Sequence, residues 1–343
     1  MARLRAMGST MVRAAMRSAT GAAAMVAAMG AAIGLVSAQP AAAQAWPSKP
    51  IRLVVGFAPG GAADTVARTY GEALSKVLGQ PIVIENRAGA GSSIAADNVA
   101  HSPPDGYSLL IASPSSISVN PALNTKLNYK PSDLVPVTKI SASPLVVVAN
   151  PATGIASLKD LAAAAKKDPG KLNYATSGVG SAPHFGAVQF ARIAGVEMVH
   201  VPFKGGGPAV VSVVAGDTQV TFATPPSVLP MVKAGRLRAL AITHPERSPL
   251  MPDIPGTIEA GLPEYSIAFW YGFFVPSGTP QDIVRKLFEA TMAAAQKPEV
   301  KSALAREGTE VALSKSPEDF AAFLAEDAKF WVKLVKESGA TAD

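Results

Sequence analysis

Hydrophobic positions along this chain alternate between two periods. Short apolar runs rich in Val, Ile and Leu are followed by longer stretches whose apolar residues recur every three or four positions. These are the marks of buried strands and of helices packed on one face. The pattern is sharpest over 51–68, where Leu53, Val54 and Val55 form a strand-like run, Gly60-Gly61 breaks it, and Ala62, Val66, Ala67 and Tyr70 follow at helical spacing. Further strands are predicted over 81–85, 107–112, 172–176, 198–203, 220–223 and 237–242, with helices over 94–100, 158–167, 183–194, 208–215 and 228–234 between them. Ser157 is a candidate N-cap, Asp168-Pro169-Gly170 a stop, and Gly195 a C-terminal cap after a helix with Pro183 in its first turn. Thr279-Pro280-Gln281-Asp282 opens a later helix with a capping-box-like pattern. Ser316-Pro317-Glu318-Asp319 opens the last, whose packing stripe reads Phe320, Phe323, Leu324, Phe330, Leu334. Residues 113–128 read as polar and turn-rich.

This alternation predicts an α/β fold with parallel sheets. Extended runs at 135–140 and 145–149, and an aromatic run at 267–275, carry the chain out of one domain and back. The expected arrangement is a discontinuous first lobe (46–145 and 266–343) and a continuous second lobe (146–265), with a ligand cleft between them.

Residues 1–45 stand apart. Arg3, Arg5, Arg13 and Arg17 form a basic head, 22–38 is an uncharged apolar run, and small-residue sites end at Ala38, Ala43 and Ala45. This is the pattern of a cleaved export signal, with cleavage after Ala45 preferred so that Trp46 becomes the first residue. Removal changes the charge picture. The chain has 31 Lys+Arg against 25 Asp+Glu, and the four Arg of the prefix leave 27 against 25, a net +2. The basic character is mostly the signal, and no basic cluster interleaved with aromatics remains to argue for nucleic acid. The chain has no cysteine, which excludes disulfides, a thiolate metal site, a cysteine nucleophile and a lipidated N-terminal cysteine. The expectation is a soluble, exported protein, not a lipoprotein.

Candidate chemistry is sparse. The four histidines, His101, His184, His200 and His244, lie at no metal-ligand spacing. No Gly-x-Ser-x-Gly elbow, Walker-type loop or Gly-x-Gly-x-x-Gly fingerprint occurs, so neither a cofactor nor a metal is expected. Asp64 falls in the first turn of a helix, where a carboxylate ordinarily complements the dipole. A secreted hydrolase or lyase using Asp64 as base and His184 as acid is the alternative from another class. What recurs is a glycine loop between a strand and a helix: Gly60-Gly61, Ser177-Gly178-Val179-Gly180-Ser181, and Lys204 to Gly207. Such loops place unpaired main-chain N–H groups at the positive end of a helix. If two of them face one another across the cleft, the Ser177 and Ser181 hydroxyls add donors for a carboxylate. Glycine lets the ligand approach the main chain closely.

Several motifs then carry a resemblance. Phe57-Ala58-Pro59-Gly60-Gly61 through Asp64-Thr65-Val66-Ala67-Arg68, Glu85-Asn86-Arg87-Ala88-Gly89-Ala90-Gly91, Pro104-Asp105-Gly106-Tyr107 and Asn120-Pro121-Ala122-Leu123 resemble, in order, the Bug receptors of tripartite tricarboxylate transporters. So do Pro169 to Tyr174, His200-Val201-Pro202-Phe203-Lys204-Gly205, and Tyr271-Gly272 with Thr279-Pro280. The resemblance implies a two-lobe, type II-like venus-flytrap receptor, a monomer in the periplasm, that delivers a small carboxylate to a membrane permease; a third reading is a loaded receptor that docks a signalling sensor instead. It also implies a ligand site drawn from Phe57, Ala58, Gly60, Gly61, Asp64, Ser115, Thr176, Ser177, Gly178, Ser181, His184, Phe203, Lys204, Gly205 and Ala223. The chain departs from the family's usual pattern at Phe203 (commonly Tyr), Ala223 (frequently an acid) and Val188 (usually Glu). Losing an acid removes a partner for an ammonium group and favours a carboxylate without an amine.

Overall fold

The first strand, β1 (Ile51–Val55), is buried along nearly its whole length. It leads through the glycine turn into α1 (Ala62–Leu78), whose buried face includes Val66, Ala67, Tyr70 and Leu74. The computed structural model describes residues 46–124 and 126–338, so the expected export signal at 1–45 lies outside the described residues. β2 (Ile82–Asn86), α2 (Ser93–Ala100) and β3 (Ser108–Ala112) complete the first set of units. A wide helical turn (Ser115–Val119) then runs straight into the short α3 (Asn120–Leu123). The stretch read as turn-rich is therefore helical in its first half. Its serines are buried, so polarity there did not mark a loop.

β4 (Leu134–Pro144) and β5 (Val146–Ala149) follow, then α4 (Leu158–Lys167), β6 (Asn173–Thr176), α5 (Ala182–Ala194), β7 (Val199–Pro202), α6 (Gly206–Ala215), β8 (Val220–Ala223), α7 (Pro225–Lys233) and β9 (Arg238–Ile242). The chain returns through β10 (Ala268–Pro276), α8 (Gln281–Ala295), α9 (Pro298–Arg306), β11 (Glu310–Val311) and α10 (Pro317–Ser338). α9 and β11 had no strong periodic signal. Ser157 caps α4 by accepting from the Asp160 N–H at 3.1 Å, and Gly195 closes α5 with φ +62°. The capping box expected at Thr279 does not form. The Thr279 hydroxyl donates to the Pro276 carbonyl at 2.7 Å, and Pro280 stands at the N-cap. In α10, Phe320 is fully buried but Phe330 is exposed, and Trp331 takes the core position expected of it. Eleven residues after Phe320 is close to three full turns, whereas ten is not.

The strands form two sheets. One has the order β11-β4-β10-β3-β1-β2, the other β7-β6-β8-β5-β9. β1 pairs in parallel with β2 and β3, and β6 with β7 and β8. β4, β5, β10 and β11 pair antiparallel, so both sheets are mixed rather than all parallel. β4, β5 and β10, which stand on either side of the passages between the sheets, are among the antiparallel strands.

The crossings are fastened together. Leu145 and Ile267 flank Thr243, whose hydroxyl accepts from the Leu145 N–H at 2.8 Å and donates to the Ile267 carbonyl at 2.7 Å. Main-chain bonds from Thr243 to Leu145 and from Ile267 to Thr243 complete the knot. Tyr265, fully buried, donates to the Gly186 carbonyl at 2.8 Å and packs edge-on against Phe190 and Phe222. No helix among the described residues is long and apolar enough to cross a membrane.

Candidate functional site

The first glycine loop is built around Asp64. Its carboxylate, 4% exposed, accepts from the Gly60 N–H at 3.1 Å, from Arg68 Nε and Nη2 at 2.9 and 3.0 Å, and from Asn86 Nδ2 at 3.0 Å. Asn86 Nδ2 also donates to the Phe57 carbonyl at 3.1 Å. Burial pushes the Asp64 carboxyl up, but the bonds from Arg68, Gly60 and Asn86 outweigh it and hold it below the usual range. Asp64 is thus an ionised brace for the loop, with its acceptor sites filled, and has no poise as a general base. Gly60 takes φ +80° with open space around its Cβ position, so its requirement is conformational, and its N–H is already engaged by Asp64.

The second loop has its own braces. The Gly178 N–H donates to Thr176 Oγ1 at 3.2 Å, and the Thr176 hydroxyl also meets His200 Nε2 at 2.6 Å. Ser181 is the N-cap of α5, accepting from the His184 N–H at 3.4 Å. His184 accepts at Nδ1 from the Gly180 N–H at 3.4 Å and stacks on His200 with ring centroids 4.2 Å apart, while His200 stacks on Tyr174 at 5.1 Å. Burial, with the neighbouring His200, pushes His184 down to about 3, so its ring is neutral at ordinary pH.

The loops of the two sheets meet. The Ala58 N–H donates to the Lys204 carbonyl at 3.1 Å. A Cβ on Gly205 would stand 2.9 Å from the Ala58 nitrogen, and one on Gly91 would stand 2.5 Å from the Val179 carbonyl. Gly180 likewise makes room for Asn120, whose Oδ1 lies 1.9 Å from its Cβ position. The contact is therefore made at several positions by glycines whose side-chain volume is used by the other side.

Two cavities flank this contact, sharing Phe57 and Ser177 in their walls. The smaller, about 20 Å³, has room for one water-sized group. Its wall holds Ala62 and Ala63 from the first turn of α1, Ala182 from that of α5, Gly206 from that of α6, and Thr224, the N-cap of α7. Four helix N-termini, from both sheets, converge on one point. Their first-turn N–H groups lack partners within their helices, so the point attracts negative charge. Neither cavity counts an Asp or Glu among its described lining residues. The Ser177 hydroxyl and the Tyr271 hydroxyl, on the walls, make no hydrogen bond among the described residues. The larger cavity, about 330 Å³, lies between Gly89–Ser93 and Asn120 on one side and Ser177–Val179 and Phe203–Lys204 on the other.

Of the residues expected at a ligand site, Phe57, Gly61, Ser177, Gly178, Phe203, Lys204 and Ala223 line one cavity or both. Ala58 and Gly205 make the contact between the loops. Gly60, Asp64, Ser115, Thr176, Ser181 and His184 line neither cavity. Thr176, Ser181 and His184 shape the second loop, Asp64 the first, and Ser115 is buried in the helical turn after β3. Asp64 and His184, the acid–base pair of the hydrolase alternative, are each committed to their own loop. Thr224, Ser227, Phe269 and Ser92 were not foreseen. No local pattern marks them, because they reach the cavities through chain crossings and sheet order.

The family model described as the tripartite tricarboxylate transporter family receptor matches residues 66–340. The chain belongs to this family. It is accordingly a solute-binding receptor of the periplasm and not an enzyme. The protein BugT of Bordetella pertussis is 37% identical over 305 residues, covering 88% of this chain and 93% of BugT. The solved structure of MatC from Rhodopseudomonas palustris with bound malate is 34% identical, covers 84% of the receptor and 100% of MatC, and superposes with a TM-score of 0.80. A second R. palustris protein, solved with adipate, is 33% identical, covers 86% and 98%, and gives 0.82. The receptor shares with them the two-lobe fold of periplasmic binding proteins.

Proposed function

We propose that the receptor captures a small carboxylate with no ammonium group beside it, grips it between its lobes, and presents it chemically unchanged to the membrane permease of a tripartite transporter. The observation that carries this is the convergence of four helix N-termini on a site lined by no described Asp or Glu. An ammonium group buried there would have no counter-charge, and an unpaired buried charge is strongly disfavoured. Ala223 stands in the wall of the smaller cavity where an acid would have supplied one, and Phe203 offers the larger cavity a ring without a hydroxyl. The malate and adipate seen in the two R. palustris structures support the same chemistry.

The lobes are 46–145 with 266–343, and 146–265. Strand membership of the two sheets supports these boundaries, with the crossings fastened at Thr243. Residues 1–45 act as a cleaved export signal, and the mature receptor works as a soluble monomer without a lipid anchor. The test is calorimetric titration of the mature protein with succinate and with aspartate, which differ by the ammonium alone. Succinate should bind at least tenfold more tightly; tighter binding of aspartate would refute the proposed ligand class.

A further inference from the structure

Three rings lie stacked behind the second glycine loop. His200, half-buried on the outer strand of its sheet, stands between His184 of α5 and Tyr174 of β6. The ring planes are within 14° and 15° of parallel. His200 Nε2 lies 2.6 Å from Thr176 Oγ1. The Thr176 hydroxyl donates its one proton to the Gly178 carbonyl at 3.3 Å and accepts from the Gly178 N–H at 3.2 Å. His200 Nε2 must therefore carry a proton and donate it. Both main-chain polar groups of Gly178 thus meet one hydroxyl, and that hydroxyl is held by His200. Gly178 takes φ +121° and lines the larger cavity, with the Gly91 nitrogen of the other lobe 3.8 Å from its Cβ position. Ser177, beside it, lines both cavities.

We propose that His200 is a positioning residue for the ligand, acting through Thr176 on the Gly178 loop, and that it makes capture tighten as the pH falls. This rests on the carboxylate reading above and adds a proton linkage to it. A neutral imidazole can hold its proton on either nitrogen, and with the proton on Nδ1 it would draw the Thr176 proton away from the Gly178 carbonyl. An imidazolium has a proton on both nitrogens, so Nε2 can only donate, and its bond to Thr176 becomes charge-assisted. Its positive charge also stands behind the loop that meets the anion. Both effects favour the protonated ring when a carboxylate is bound. Binding then takes up protons, and affinity grows as the pH falls through the imidazole range, about 6.5. The ionisable neighbours in the stack do not compete for that proton. Burial pushes Tyr174 up to about 12 and, with the neighbouring His200, pushes His184 down to about 3. Arg192 and Glu197, of opposite charge, line the groove that Tyr174 also lines, and Lys204 lines the larger cavity.

The test titrates the full mature chain and its His200→Gln, His200→Phe and Thr176→Val variants with malate, succinate and adipate at about pH 8 and about pH 5.5, either side of the imidazole range. Glutamine keeps a donor for Thr176 but cannot titrate, whereas phenylalanine keeps a ring in the stack and loses the donor. Between the two pH values the wild type should gain about fivefold in affinity relative to His200→Gln, a comparison in which the ligand's own titration cancels. At the higher pH, His200→Phe should bind about fivefold more weakly than the wild type, and glutamine should restore most of that loss. Adding His200→Phe to Thr176→Val should cost nothing further, because the two side chains act through one bond. If His200→Phe does not fold, as its melting curve would show, the pH profile of His200→Gln decides. A pH profile shared by the wild type and His200→Gln, or additive losses in the double variant, overturns the role of His200 alone. A wild type that binds none of the three acids at either pH overturns the carboxylate reading together with it.

Discussion

Asp64 shows that residue type alone leaves a role open. A carboxylate in the first turn of a helix suits either a cap or a base, and only its partners decide. Here Gly60, Asn86 and Arg68 fill it; the Gly60 and Arg68 donors are exposed and can turn to water, so Asp64→Ala should cost about 1–2 kcal/mol of stability through the lost brace of the loop, read from denaturant unfolding. His184 carries the pH dependence of the second loop. Its folded value of about 3 lies below the unfolded value near 6.5, so the unfolded chain binds the extra proton between those limits. Stability should fall as pH drops below about 6.5, with this group contributing at most about 1.4 kcal/mol per pH unit, and the contribution should flatten below about 3. Asp64, whose value is lowered, adds acid sensitivity of the same sign at lower pH. His184→Asn, which keeps an acceptor for the Gly180 N–H, should show a shallower loss between pH 6.5 and 4 in thermal unfolding.

At the scale of elements, the glycine loops separate into two kinds that the sequence presents alike. Gly60 needs a left-handed backbone and has free space around it. Gly180 also has a positive φ, +77°, but its Cβ would collide with Asn120 across the cleft. Ala at either position incurs a similar backbone strain, about 1 kcal/mol. Gly180→Ala alone should also oppose closure of the loops. Comparable melting temperatures are therefore expected for the two variants, with a ligand affinity at least tenfold weaker in Gly180→Ala than in Gly60→Ala, measured by titration. Equal affinities would show that the contact between the loops does not govern binding.

For the molecule as a whole, the contact between the lobes has a direct reporter. The Ala58 N–H donates to the Lys204 carbonyl, one lobe to the other. A ligand that binds the closed form better than the open one shifts the population toward this contact. The Ala58 amide should therefore exchange with solvent more slowly, by about tenfold or more, when a carboxylate is bound at saturation. Amides in the centre of β1 should change little, since their bonds lie within one sheet. Hydrogen exchange of the free and loaded receptor makes the comparison.

The sequence by itself determined the local units. Apolar period, glycine turns and caps such as Ser157, Ser316 and Gly195 act over a few residues, so most strands and helices and the glycine loops between them were legible before any coordinates. The same was true of the two crossings, because an extended apolar run flanked by turn signals is a local feature. The tertiary structure decided what depends on distant segments. Antiparallel insertion of β4, β5 and β10 set the sheets as mixed, and the order of strands brought α6 and α7 to join α1 and α5 at one point. It also decided that Phe330 faces water while Trp331 is buried. Hydrogen bonding and periodicity are short-range and write themselves into the chain, whereas which side chains share a cavity is fixed only when remote elements pack.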